Sequence, residues 1–147
     1  MNTSDLLQEL GQKLGLGPLA LDDSGNCQLV FDGDLVVELQ APGDGFISLV
    51  ATVCPVPADG REALFTDLLE ANLLGQGTGG ATLALDTALD EVVLCQRLET
   101  AQLDNEGFEG ALETFINHLE FWKGRTSSSA GGTGSANENE KVPFIKA

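Results

Sequence analysis

Residues 63–86 read ALFTDLLEANLLGQGTGGATLALD, and the division of this stretch decides the fold. Placed at 100° per residue, Leu64, Leu68, Ala71, Phe65, Leu69 and Leu73 cover roughly 200° of a helix circumference, about twice what a helix packed on one side needs. Thr66, Asp67 and Glu70 hold most of the remainder. Such a helix buries two faces, one on its own sheet and one on something else. In a chain of 147 residues, the something else is most economically a second copy of the chain. Leu64, Phe65, Leu68, Leu69, Ala71, Asn72 and Leu73 are therefore expected to include self-association contacts. Gly75 reads as the C-cap, a flexible turn follows, and 81–85 reads as a strand.

The turn literally contains GxGxxG, from Gly75 to Gly80. A dinucleotide fold needs that motif between a strand and a following helix, where the helix N-terminus meets the pyrophosphate. Here it follows a helix and opens a strand, so the dipole has the wrong sign. No Lys-Ser or Lys-Thr follows, so a P-loop fails as well.

Upstream, Asp59 is expected to open this helix, with Glu62 as its capping-box partner. Pro55 and Pro57 close a meander of three strands. Their alternating sets are Cys27, Leu29, Phe31 in 27–31, Leu35, Val37, Leu39 in 35–39, and Ile47, Leu49, Ala51, Val53 in 47–53. A loop of residues 32–34 with Gly33 or Asp34 left-handed puts Phe31 opposite Leu35 and keeps both sets on one face. A first helix, capped by Thr3 or Ser4, carries Leu6, Leu7, Leu10 and Leu14 at helical spacing and ends at Gly15. Downstream come a strand over 92–98 and a last helix over 104–123, capped by Asp104. Phe108, Ala111, Leu112, Phe115, Ile116, Leu119 and Trp122 form its apolar stripe. The order α-β-β-β-α-β-β-α, with strands in a meander, predicts an α+β domain on an antiparallel twisted sheet.

Charge narrows the partners. The chain has 23 acidic and 7 basic residues, a net of −16. Phosphate backbones and anionic membrane surfaces repel such a chain, so neither nucleic acid nor membrane is expected as a partner. A polypeptide is. Up to Lys123 there are 21 acidic residues against Lys13, Arg61, Arg97 and Lys123, a net of −17. Residues 1–123 thus read as the folded domain. Residues 124–147 read as a disordered tail rich in Ser, Gly and Asn, closing on Val142, Pro143, Phe144 and Ile145.

Chemistry is sparse. Cys27, Cys54 and Cys95 form no CxxC and sit in or beside apolar runs, as small buried hydrophobes do. His118 is the only histidine, on a helix face beside Phe115 and Trp122, so no paired-imidazole metal site exists. The carboxylate pairs Asp22/Asp23 and Asp32/Asp34 lie at Gly-containing turns where solvent screens them, and Asp22 to Asn26 lacks EF-hand spacing. Neither a signal-peptide pattern nor a run of membrane-spanning length is read, so a reduced, cytoplasmic, non-catalytic protein without metal or cofactor is expected.

The run Leu68-Leu69-Glu70-Ala71-Asn72-Leu73-Leu74-Gly75, then Gly79 to Asp86, then Val92-Val93-Leu94, resembles the type III secretion chaperones of the Tir-chaperone (CesT-like) family. Leu16 to Asp22 with Gly25, Cys27 and Leu29, and the closing Leu103-Asp104, Phe108, Leu112, Phe115 and Trp122, extend the resemblance over about 4–123. It implies a homodimer, joined largely through the second helix, without ATP or catalytic residues. The implied task is to bind the N-terminal chaperone-binding segment of a secreted effector, keep it extended, and deliver it to the secretion apparatus. A regulatory role stays open beside it, in which a small partner protein is sequestered to couple secretion to transcription. By analogy, the client grooves lie on the first helix and the strand face beside it. That singles out Leu6, Leu10 and Leu14 with Leu29, Phe31, Val36 and Leu49. Strand parity places Leu29, Phe31 and Leu49 on the core face and Val36 on the other, beside Glu38 and Gln40, so half the set is expected to be core.

Overall fold

The computed structural model describes residues 3–43 and 45–131, with side chains to residue 127. The elements are α1 (Thr3–Leu14), β1 (Asn26–Phe31), β2 (Leu35–Gln40), β3 (Phe46–Pro55), α2 (Arg61–Asn72), β4 (Thr82–Asp86), β5 (Glu91–Glu99) and α3 (Asn105–Gly131). The five strands form one antiparallel sheet in the order β1-β2-β3-β5-β4. The α-β-β-β-α-β-β-α order expected from the sequence is the order observed.

Alternation builds the core. Leu29, Phe31, Leu35, Val37, Leu39, Ile47, Leu49, Ala51 and Val53 are all buried, as are Leu83, Val92, Leu94 and Leu98. Phe31 pairs with Leu35, as the apolar alternation requires. The left-handed residues of that turn are Asp32 and Gly33, not Asp34; Asp is one of the few non-glycine residues that tolerate this region. The leucines of α1 and the α3 stripe from Phe108 to Trp122 cover this one face of the sheet. On the opposite face, Gln28, Val30, Val36, Thr52, Thr82 and Arg97 are exposed, and Glu38, Ser48, Val50 and Cys95 are half-buried. Among the described residues no helical layer covers that face.

Two helix ends depart from expectation. Helix α2 starts at Arg61, with Gly60 as N-cap at φ 74° and no side-chain cap bond, so Asp59 and Glu62 form no capping box. The left-handed glycine turns the chain into the helix, and its carbonyl accepts from Leu64 N–H. At the other end, α2 stops at Asn72, and a 3₁₀ turn, Leu73–Gly75, follows with Leu74 at φ 55°. Helix α3 begins as read, Asp104 Oδ1 accepting from Gly107 N–H at 2.7 Å. It then runs past Lys123 to Gly131, so residues 124–131 are helical rather than tail. Extending a formed helix costs far less than nucleating one, and no proline interrupts these residues. Thr126 Oγ1 also donates to Trp122 O, and Arg125 pairs with Asp67 of α2 at 3.3 Å. The remainder of the expected tail, residues 132–147, lies outside the described residues.

Candidate functional site

Exposed apolar side chains group together in two places, while Leu16, Leu85, Leu89 and Phe121 are exposed elsewhere. The first is α2. Its Leu68 and Ala71 are buried, and Leu64 and Phe65 are half-buried against the core. Leu69, Leu73 and Leu74 are 72%, 60% and 94% exposed. The wide apolar arc therefore divides as its geometry demands: one side meets the core, the other has no cover in the protomer. Leu74 is also strained, since a bulky residue at positive φ is disfavoured. Asn72, placed by sequence among the self-association residues, is committed within the chain. Its Oδ1 accepts from Leu83 N–H at 2.8 Å and its Nδ2 donates to Leu83 O at 2.9 Å. The carboxamide thus occupies the outer edge of β4, where an unpaired strand otherwise invites another chain.

The glycine-rich turn after α2 locks these pieces to α3. A Cβ on Gly77 would lie 2.7 Å from Ala71 Cβ, and one on Gly79 would lie 2.6 Å from His118 Cε1. Trp122 Nε1 donates to Gly77 O, and the buried Thr78 hydroxyl donates to Ala81 O. The GxGxxG spelling is a close-packing device here. His118 has its Nδ1 2.9 Å from Thr114 O, within its own helix. Asp22 Oδ1 accepts from Ser24 and Asn26 N–H, which holds its turn.

The second bare region is the uncovered sheet face. Paired residues Gln28, Glu38, Val50, Cys95 and Thr82 form a row across all five strands, and Val30 pairs with Val36 beside it. The β2–β3 ladder runs only through Glu38–Val50, Leu39–Leu49 and Gln40–Ser48. Residues 35–37 of β2 lie outside it, and a groove of about 330 Å³ opens there, lined by Gln28, Asp34, Val36, Glu38, Val50, Ala51, Thr52 and Lys123. Lys123 reaches in from α3 and donates to Thr52 O at 3.3 Å. The groove's surroundings are acidic. Burial, and then the charges of Asp32 and Asp34, push the Glu120 carboxyl above its ordinary range.

Of the positions that the resemblance assigned to client binding, Val36 is 40% exposed, whereas Leu6, Leu10, Leu14, Leu29, Phe31 and Leu49 are buried. These six hold α1 and the sheet together and present no surface to a partner in this conformation. More than the expected half is core, because the whole leucine stripe of α1 is buried in the core that it shares with the sheet and α3. Sequence reasoning missed Val30, Val50 and Leu74. Strand parity carries a signal for the first two, since they share Val36's face; nothing in helix periodicity marks a strained residue two positions beyond the helix.

Burial raises all three thiols: for Cys27 the charge of Asp22 adds to it, and for Cys54 Thr126 and Lys123 partly offset it. Raised thiols are poor nucleophiles near neutrality. Among the described residues no cluster of three His, Cys, Asp or Glu side chains is placed to hold a metal ion. Nor is any described helix long and apolar enough to cross a membrane.

Known proteins match this arrangement. The chain is 22% identical over 115 residues to the Tir chaperone of Citrobacter freundii, covering 78% of this chain and 73% of that one. It is 30% identical over 119 residues to the transcriptional anti-antiactivator ExsC of Pseudomonas aeruginosa, covering 80% and 81%. In solved structures, the ExsC–ExsE complex contains a chain that superposes with a TM-score of 0.69 at 29% identity, over 82% of this chain and 90% of that one. The HopA1–SchA chaperone–effector complex contains another, with a TM-score of 0.67 at 19% identity, over 81% and 91%, a likeness of fold. The model of the Tir chaperone protein (CesT) family matches residues 5–123, which takes in every strand, α1 almost whole and the packed part of α3, and the chain therefore belongs to the Tir chaperone protein family.

Proposed function

We propose that this chain is a homodimeric cytoplasmic chaperone of a type III secretion system. It binds the N-terminal region of a secreted effector in extended, non-globular form and presents it to the secretion apparatus. Membership of a chaperone family and the likeness to a chaperone–effector complex carry the chaperone role and support a non-catalytic one. The observation that carries the mechanism is the uncovered sheet face, with Val30 50% and Val36 40% exposed on a folded domain whose core is complete without them.

An extended client laid on this face places alternate side chains against Val30, Val36 and Val50. Each Å² of apolar surface buried contributes roughly 25 cal/mol, less the cost of ordering the segment. Main-chain hydrogen bonds to a strand edge add affinity with little demand on sequence. Since Asn72 blunts the β4 edge, β1 is the edge left for such pairing. The net charge of −16 keeps a sticky complex soluble and speeds capture of basic segments. The second copy covers Leu69, Leu73 and Leu74, beside the half-buried Leu64 and Phe65. Leu68, Ala71 and Asn72 support that surface from within.

The 30% identical relative named as an anti-antiactivator favours a second reading, in which the same face sequesters a small regulatory protein. Identifying the stoichiometric partner that co-purifies with the tagged chain separates the two. A type III secreted effector supports escort; a small regulator of transcription supports sequestration.

A further inference from the structure

The β2–β3 groove lies within reach of a segment of this same chain that neither the family match nor the chaperone role uses. Residues 141–147 read KVPFIKA, an apolar run bracketed by Lys141 and Lys146, in a chain of net charge −16. The groove offers the complement: Val36 and Val50 as apolar lining, with Asp34 and Glu38 beside them. Asp32 and Glu120 add further negative charge close by. Lys123 is the groove's one basic lining residue, and its Nζ already donates to Thr52 O.

Distance permits the contact. Lys123 lines the groove, and α3 continues from it to Gly131, about 12 Å further along the axis at 1.5 Å per residue. Ten residues, 132–141, lead from there to Val142, and a random-coil linker of that length would span about 17 Å on average. Chemistry suits a lodger rather than a permanent strand. Pro143 biases Val142 toward an extended conformation, which lowers the cost of laying the run along a strand. The missing N–H of Pro143 keeps it from zipping fully into the open ladder.

We propose that residues 141–147 dock in this groove in the same chain and occupy it until a client displaces them. Val142 or Phe144 covers Val36 and Val50, and the flanking lysines face Asp34 and Glu38. A short tether supplies an effective concentration on the order of millimolar, so a segment of equally weak intrinsic affinity is docked about half the time. Such an occupant shields the bare face yet yields to a longer ligand. The displacement by a client rests on the chaperone reading; the docking does not.

Two measurements on the full chain test the docking without any effector. Carbodiimide coupling, which joins a lysine to a carboxylate in direct contact, is expected to link Lys141 or Lys146 to Asp34 or Glu38. In a mixture of 14N and 15N chains the links should fall within one chain, and Phe144→Asp should reduce them at least fivefold. Links scattered over the surface carboxylates, links found only between chains, or links unaffected by Phe144→Asp would overturn the proposal. In methyl NMR spectra, Phe144→Asp is expected to shift Val36 and Val50 and to leave Leu89 in place. A synthetic KVPFIKA peptide should then restore those shifts, binding the variant about twofold or more tighter than the wild type, whose own segment competes. Equal affinity for the two proteins, or no response at Val36 and Val50, would also overturn it. Thermal unfolding of Phe144→Asp is expected to match that of the wild type, which separates loss of docking from loss of folding.

Discussion

Asn72 acts as the missing sixth strand at a single point, with one carboxamide satisfying both backbone groups of Leu83. Replacing it by Leu strands a partly buried N–H and C=O, at about 1–3 kcal/mol for each group left unpaired. Asn72→Leu is therefore expected to lower the urea midpoint clearly, and Asn72→Asp, which keeps the acceptor and loses the donor, to lower it by less. Equal midpoints for wild type and Asn72→Leu would contradict the edge-capping role. Glu120 gives a second test, in pH. Its carboxyl is raised by burial and by Asp32 and Asp34, so the folded state binds its proton more tightly than the unfolded state does. Stability then falls as pH rises through the window between the ordinary and the raised value, and stays reduced above it. Glu120→Gln is expected to melt above the wild type at pH 7 and to match it below about pH 4, where the carboxyl is protonated in both states. A melting difference that does not change with pH would rule the charge explanation out. Neither residue's role was legible in the sequence. Asn72 was assigned to self-association because the helical wheel shows which side it faces but not that β4 passes beside it. Glu120 meets Asp32 and Asp34 only through the fold.

At the scale of elements, the strands were legible because their apolar alternation has a period of two and one face must be buried. The α2 arc was legible for the same kind of reason, and Leu68 inside against Leu69 outside is its outcome. Termini were less so. Gly60 replaced the expected Asp59 cap, and α3 outran Lys123, since propagation and the Arg125–Asp67 pair act where composition suggested a tail. The split of α2 yields opposite expectations for adjacent leucines. Leu69→Asp and Leu73→Asp place a charge on a face that is bare in the protomer. They should leave a folded monomer, with self-association weakened at least a hundredfold in sedimentation equilibrium. Leu68→Asp buries an unpaired carboxylate, at a cost of several kcal/mol, and should unfold the chain. A wild-type chain that sediments as a monomer at micromolar concentration would contradict the dimer.

The whole molecule sets one covered sheet face against one bare face, in a strongly acidic chain. Its family and fold were legible in the run from Leu68 to Asp86, because packing positions, not catalytic ones, carry the resemblance. The proposed client surface was legible only in part. Parity marked Val36, whereas the leucines of α1 proved to be core, since a helix stripe alone does not say whether a sheet or a client covers it. Val36→Asp should therefore keep the melting temperature within a degree or two while weakening client capture at least tenfold, and Leu10→Asp should unfold the protein. The most direct test of the central claim is native mass spectrometry of the tagged chain purified from the bacterium that encodes it, with the bound partner identified by sequencing. The account predicts two copies of this chain with one type III secreted effector, held through an N-terminal segment that gives no protected amides of its own when released. A partner held as a folded globular domain, or a chain that carries no secreted protein at all, would contradict it.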